Sequence, residues 1–347
     1  MIPTHPLLQP ILELHRNLRA VIVHACETES TDSLSEVAED GEGDTLFAID
    51  KVSEQVLLDA MSALASHHGG IVLVAEGILG GKVTLPRGRA EHECAYRVIM
   101  DPIDGTREIM YQKRSAWILT GVAPNRGAQT SLSDIDLAVQ TEIPILKQYL
   151  CDELWAVRGQ GATGERLNLL SGERVQLKMR PSRAATIEQG FATISRFFPG
   201  ARDELAAIDD ELVHRLLGPC KPGKAHCFED QYLSTGGQLY ELIMGHDRFV
   251  ADLRPLLATL LMARGFPVGL CCHPYDICTV LIAEELGVIV RSAQGEKMNY
   301  PLEIDPDVAW VGYANEQLAR TIEPVLLEVI KSRNLELKAR VPADREA

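Results

Sequence analysis

Two carboxylates three residues apart, Asp101 and Asp104, stand in the run Val98-Ile-Met-Asp-Pro-Ile-Asp-Gly-Thr106. The run opens as an apolar strand, and Pro102, which has no N–H, cannot extend a ladder. Residues 105–110 then read as a helix with Asp104 at its N-cap. A strand end feeding a helix start keeps the two carboxylates close. Unaided they repel and one protonates; hard divalent cations, which favour oxygen ligands, remove that cost. The amides of Gly105 and Thr106 at the helix start favour an anion, and Thr106 adds a hydroxyl. Cation binding and phosphate binding side by side is the chemistry this spacing suits. An ordinary capped turn uses the same Asp-Pro and Asp-Gly dipeptides, so the surrounding elements must carry part of the case.

Those elements can be read from periodicity. Residues 7–26 repeat apolar positions at helical spacing, and 52–67 form a second helix closed by Gly69-Gly70. A short strand over 45–49 ends at Asp50. The apolar run Ile71-Val-Leu-Val-Ala75 is a buried strand that delivers Glu76. Strands follow around 117–123, 135–139 and 153–157, with 174–178 returning after the glycine-rich turn 159–164. Past Pro181 the pattern becomes strands alternating with helices: helices over 203–217, 238–244, 256–264, 276–286 and 316–331, strands over 249–252 and 288–291. Two mixed α/β halves, 1–180 and 181–347, are the expected division.

Composition bounds the partners. A net charge of −15 argues against a nucleic-acid partner, whose phosphate backbone needs clustered Lys and Arg, but leaves room for a small phosphorylated substrate held through divalent cations. No apolar run reaches the ~20 residues of a membrane span, and the N-terminus lacks a secretory pattern; a cytoplasmic protein is expected. Eight cysteines without a CxxC pair read as free thiols. The triplet Cys271-Cys272-His273 lacks a second pair at zinc spacing. Arg107 and Glu108 read as a surface pair, and Lys221-Pro-Gly-Lys224 as a solvated loop. The i, i+3 spacing of the aspartates, with proline between, differs from the i, i+2 pair of haloacid-dehalogenase phosphatases and disfavours a phospho-aspartate mechanism.

Taken together, the sequence resembles the inositol monophosphatase family, within the Mg²⁺-dependent phosphatases that include fructose-1,6-bisphosphatases. Asp101-Pro-Ile-Asp-Gly-Thr106 matches the family's central motif completely. Asp50 resembles its first aspartate, and Glu76 the start of its acidic pair. Tyr275-Asp276-Ile-Cys-Thr279 is similar to its late Trp-Asp-x-Ala-Ala, and Glu153-Leu-Trp-Ala-Val-Arg-Gly-Gln-Gly-Ala162 to its hairpin. The resemblance implies a layered α/β/α/β/α sandwich, two or three Mg²⁺ ions, and a homodimer hydrolysing a small inositol or sugar phosphate. It places Glu76, Asp101 and the Ile103 carbonyl on one ion, and Asp101, Asp104 and Asp276 on a second. Glu76 and Thr106 would orient the attacking water, with Asp50 in support or at a weaker third metal, while the Gly105 and Thr106 amides bind phosphate.

Departures from the family shape the substrate reading. The second acid of the early pair is Gly77, and residues 266–273 contain no acid where inositol-specific members grip ring hydroxyls. Phe249-Val-Ala-Asp252-Leu-Arg254 resembles an element of the dual-specificity inositol and fructose-bisphosphate phosphatases, where Arg254 would meet a second phosphate; a strand-end salt bridge is the other reading. The stretch between Arg254 and Asp276 is longer than in the family. Fructose-1,6-bisphosphatase activity, nucleotide 3′-phosphatase activity and a non-catalytic metal-binding homologue are the alternatives.

Overall fold

The computed structural model describes residues 5–35, 37–39, 46–78, 80–267 and 269–335. Much of the acidic stretch ending at Asp44 and the tail from Lys338 lie outside them. The chain opens with α1 (Leu8–Thr28), α2 (Thr31–Leu34), a ribbon of β1 (Val37–Glu39) and β2 (Leu46–Phe47), and α3 (Ala48–His67). Next come β3 (Ile71–Ala75), β4 (Lys82–Leu85), β5 (Tyr96–Asp104), α4 (Thr106–Met110), β6 (Ala116–Pro124), β7 (Leu137–Ile143), β8 (Leu150–Val157), β9 (Ala162–Asn168) and β10 (Arg174–Gln176). The second half holds β11 (Phe191–Ile194), α5 (Arg202–Leu217), α6 (Thr235–Met244), β12 (Asp247–Asp252), α7 (Ala258–Ala263), α8 (Val280–Glu285), β13 (Ile289–Ser292), β14 (Trp310–Tyr313) and α9 (Glu316–Ser332).

Strands β3 to β10 form one sheet in the order β10-β9-β8-β7-β6-β5-β3-β4, antiparallel except for the parallel pair β3–β5. A second sheet runs β11-β12-β14-β13. Helices α1 and α3 cover one face of the larger sheet, α6 and α8 lie between the sheets, and α5 and α9 cover the far face of the smaller one. This is the expected α/β/α/β/α sandwich. The layering follows from hydrophobicity: both faces of β6 are buried along Ala116–Ala123, so each needs an apolar partner layer. Each fully buried Leu, Ile or Val there contributes about 1.5–3 kcal/mol.

One polar anchor ties α1 to the sheet. Glu153 on β8 is wholly buried and meets Arg16, Arg19 and Arg174 at 2.8–2.9 Å. Burial would raise its pKa, but hydrogen bonds from Arg16 and Arg174 and the charge of Arg19 hold it down to about 2.

Several element boundaries differ from the sequence reading. Of the strand expected over 45–49, Leu46–Phe47 form β2 and α3 starts at Ala48, so Asp50 lies in a helix's first turn rather than at a strand end. Gly164 lies inside β9, which pairs with both β8 and β10. Residues 254–257 form a 3₁₀ turn ahead of a short α7, and Asp276 stands in turns before α8 rather than in a helix. α6 starts three residues earlier than periodicity indicated, because Ser234 caps it by accepting from the Gly237 N–H at 2.9 Å.

Candidate metal centre

Strand β5 continues through Pro102 to Asp104, but its register against β6 shifts: Asp101 pairs with Leu119 and Asp104 with Trp117. Three residues on β5 thus span two on β6, a bulge that a proline tolerates. Alternation would place residues 101 and 104 on opposite faces of the sheet. The bulge puts both on the face shared by Leu119 and Trp117, towards α6 and α8. Gly105 then turns the chain into α4 with φ 93°, a conformation that favours glycine.

Asp104 does not cap α4, as the sequence reading had it; Gly105 occupies the N-cap position without a side-chain bond. The Asp104 carboxylate instead caps α6. Oδ2 accepts from Ser234 Oγ at 2.7 Å and from the Gly236 N–H at 2.6 Å, and Oδ1 lies 3.3 Å from the Thr235 nitrogen. Sequence reasoning missed this Ser234–Gly236 cradle. The available signal was a serine followed by two small residues at the head of an apolar helix.

Glu76 follows β3 directly. Because Ala75 pairs with Met100 in parallel register, Glu76 is brought beside Asp101. Asp101 is buried, and its Oδ1 accepts from the Ile103 N–H at 2.9 Å. Asp276 arrives from the turns before α8, its Oδ2 accepting from the His273 N–H at 2.5 Å. One oxygen from each of Asp101, Asp104 and Asp276 lies within 4.8 Å of the others. Among the described residues this is the only group of three or more ligand side chains so converged; Cys271, Cys272 and His273 form no such group.

Burial raises Asp101 well above the usual carboxylate range, and the charges of Glu76, Asp104 and Asp276 push it further. Burial also takes Asp104 up to about 6, against the hydrogen bonds from Ser234, Gly236 and Thr235. Desolvated like charges at this spacing suit a hard divalent cation, whose charge offsets the repulsion and whose ligands are oxygens.

The hydroxyl of Thr106 sits 2.8 Å from the Ile103 carbonyl and 3.1 Å from Asp50 Oδ1, one proton shared between two acceptors. The cleft over these groups, about 510 Å³, is lined by Glu76, Asp101, Asp104, Gly105, Thr106 and Asp276 together with Phe197, Phe198, Arg254, Leu270 and Cys271. All the sequence-predicted site residues meet here except Asp50, which lines an adjoining hollow shared with Glu76, Gly77 and Ile103.

Arg254 lines the cleft while held by Asp252: Nε donates to Oδ1 at 2.8 Å, Nη2 to Oδ2 at 2.5 Å, and Nη1 to the Leu270 carbonyl at 2.9 Å. Its guanidinium lies 4.5 Å from the Phe197 ring centre and 5.1 Å from that of Phe198. Arg107 also lines the cleft, 5.9 Å from the Phe198 ring centre. Its neighbour Glu108 is buried, with Oε2 lacking a hydrogen-bond partner, so the two are not a surface pair. Lys221 and Lys224 stay in an exposed loop.

No protein-family model matches the chain, and no curated protein matches it in sequence. Solved structures do match. Fructose-1,6-bisphosphatase of Leishmania major aligns with a TM-score of 0.65 at 14% identity, covering 94% of both chains. Extragenic suppressor protein SuhB of Bartonella henselae gives 0.62 at 15%, covering 94% of this chain and 99% of that one. Inositol monophosphatase II of Staphylococcus aureus gives 0.60 at 15%, covering 95% and 96%. Over nearly its whole length, therefore, the chain has the fold shared by inositol monophosphatases, SuhB and fructose-1,6-bisphosphatase.

Proposed function

We propose that this protein is a Mg²⁺-dependent phosphomonoesterase of the inositol monophosphatase family, acting on a small inositol or sugar phosphate. The observation that carries the reading is the convergence of Asp101, Asp104 and Asp276 within 4.8 Å in the lining of the cleft. In this reading Glu76, Asp101 and the Ile103 carbonyl hold one ion, and Asp101, Asp104 and Asp276 a second. When bound, such ions act as Lewis acids towards phosphate oxygens and lower the pKa of water.

The protein's own groups do the positioning. Asp104 uses Oδ2 for Ser234 and Gly236, and Oδ1, with only the longer 3.3 Å contact to the Thr235 N–H, keeps a lone pair for a cation. Glu76 and the Thr106 hydroxyl orient the attacking water, and Asp50, bonded to that hydroxyl, fixes its direction. The amides of Gly105 and Thr106 take the phosphate oxygens.

Arg254 favours a substrate with a second anionic or hydroxyl group. Three of its five N–H groups are bonded to Asp252 and Leu270, which leaves one on each Nη. Pinning by Asp252 prepays the ordering of a bidentate contact. The wall at Leu270–Cys272 contains no carboxylate, which weighs against inositol selectivity and towards a bisphosphorylated sugar. Phosphate release from inositol 1-phosphate, fructose 1,6-bisphosphate and nucleotide 3′-phosphates, with Mg²⁺ and with chelator, tests the proposal. Release that needs Mg²⁺ and is lost in Asp104→Asn supports it. No release from any of them by protein that still binds Mg²⁺ favours the non-catalytic homologue instead.

A further inference from the structure

Behind the carboxylates lies a buried amide that the proposed reaction does not use. Gln140 on β7 pairs with Leu119 on β6, and Leu119 pairs with Asp101 on β5. Paired residues on neighbouring strands share a face, so Gln140 stands in one row with Asp101, two strands away and wholly buried. Its Nε2 donates to the Gly236 carbonyl at 2.8 Å, and its Oε1 accepts from Thr279 Oγ1 at 2.9 Å. Gly236 is the residue whose N–H holds Asp104, and Thr279 is three residues beyond Asp276.

Thr279 makes this connection at the expense of a local one. It occupies the N-cap of α8, where a threonine ordinarily accepts from an amide of the first turn. Here the side chain makes no cap bond and is turned to Gln140 instead. The residue is also one of the departures from the late Trp-Asp-x-Ala-Ala motif, which has alanine at this place. An unbroken buried chain therefore runs Asp104–Gly236–Gln140–Thr279 and ends on the turn that carries Asp276.

We propose that Gln140 is a positioning residue of the acidic centre: through Gly236 and Thr279 it sets the spacing between Asp104 and Asp276, and so the affinity for the cation between them. The proposal rests on the metal-dependent reading above. Outer partners that orient ligand residues commonly control metal affinity by about 10–100-fold.

Mn²⁺ binding to metal-stripped protein, followed by electron paramagnetic resonance of the free ion, tests this without any substrate. Gln140→Leu and the near-isosteric Thr279→Val are expected to weaken Mn²⁺ binding about 10-fold or more, and Thr279→Ser, which keeps the hydroxyl, to bind like the parent. Should Gln140→Leu fail to fold, the Thr279 pair decides. Variants with a lower unfolding midpoint but unchanged Mn²⁺ affinity would show a merely structural amide and overturn the proposal, as would a serine variant no better than the valine. A parent protein that binds no Mn²⁺ would overturn the metal reading itself; a parent that binds Mn²⁺ but releases no phosphate would leave this inference standing on the binding data.

Discussion

Oδ2 of Asp104 accepts a 2.6 Å hydrogen bond from the backbone N–H of Gly236, 132 residues further along the chain. A Cβ at position 236 would lie 2.9 Å from that oxygen and 2.6 Å from a methyl of Leu119. Gly236→Ala must therefore displace Asp104, Leu119 or the start of α6. Overpacking of this kind costs about 1–3 kcal/mol, read as a lower urea midpoint, together with weaker Mg²⁺ binding by calorimetry. An alanine variant with the parent's stability and affinity would show that the cradle yields freely.

Asp101 should destabilise the metal-free protein and stabilise the loaded one. Its carboxyl is held well above the usual range by burial and by Glu76, Asp104 and Asp276. Asp101→Asn replaces this disfavoured ionisable group with a neutral one of the same shape, so without cations it is expected to melt no lower than the parent. With Mg²⁺ at 100 times its Kd the parent gains about 2.7 kcal/mol, and the variant should lose that gain. Differential scanning calorimetry with and without chelator separates the two effects; an equal Mg²⁺ response in both proteins would remove Asp101 from the ligand set.

The Thr106 hydroxyl, 3.1 Å from Asp50 and 2.8 Å from the Ile103 carbonyl, is assigned to orienting water. Thr106→Val keeps the shape and removes the hydroxyl. A loss of about 100-fold in kcat is expected, the usual scale for a group handling a proton or orienting water, with little change in KM and recovery in Thr106→Ser. Full turnover by the valine variant would end this assignment.

Arg254→Lys keeps the charge but loses the planar fork that grips Asp252. KM for a bisphosphorylated sugar should rise about 10-fold, one lost charge-assisted hydrogen bond of roughly 1.5 kcal/mol, while KM for a monophosphate changes little. Equal effects on both substrates would make Arg254 a packing residue.

His15 predicts an acid sensitivity unrelated to the site. It is wholly buried on α1, between Thr141 at 2.9 Å and Thr120 at 2.8 Å. Burial lowers its pKa from 6.5 to about 3, with Glu153 opposing and Arg19 and Arg16 reinforcing. The unfolded chain takes up this proton as pH falls through 6.5 and the folded one only near 3. The contribution is thus complete above pH 6.5 and declines between those values, by up to ~1.4 kcal/mol per pH unit. Urea unfolding at pH 7 and pH 5 should show a shallower pH dependence in His15→Gln than in the parent; comparing the two cancels the other titrating groups. Parallel slopes would contradict it.

Much of the centre was legible from local sequence. Asp101, Asp104, Thr106 and Glu76 announce themselves because an apolar strand, a proline and a glycine turn are local signals, and a strand's last residue is delivered where the strand ends. The roles that failed locally failed for a common reason. Asp104 read as the cap of its own helix, yet a free carboxylate takes the best-placed donors, and these belong to Ser234 and Gly236 on a distant helix. Glu108 read as exposed because it follows an arginine at a helix start, and only the packing of α4 shows it buried.

By itself the sequence marked Asp101, Asp104, Thr106 and Glu76 as candidates for holding a cation and a phosphate, and showed strands and helices alternating past Pro181, since periodicity and turn chemistry are written in neighbouring residues. The tertiary structure alone decided that a bulge puts Asp101 and Asp104 on one face, that Ser234 and Gly236 hold Asp104, and that Arg254, paired with Asp252, still lines the cleft. It alone showed Gln140 tying two helix starts together. Register shifts and hydrogen bonds between residues a hundred positions apart depend on how layers stack, and no local pattern encodes that.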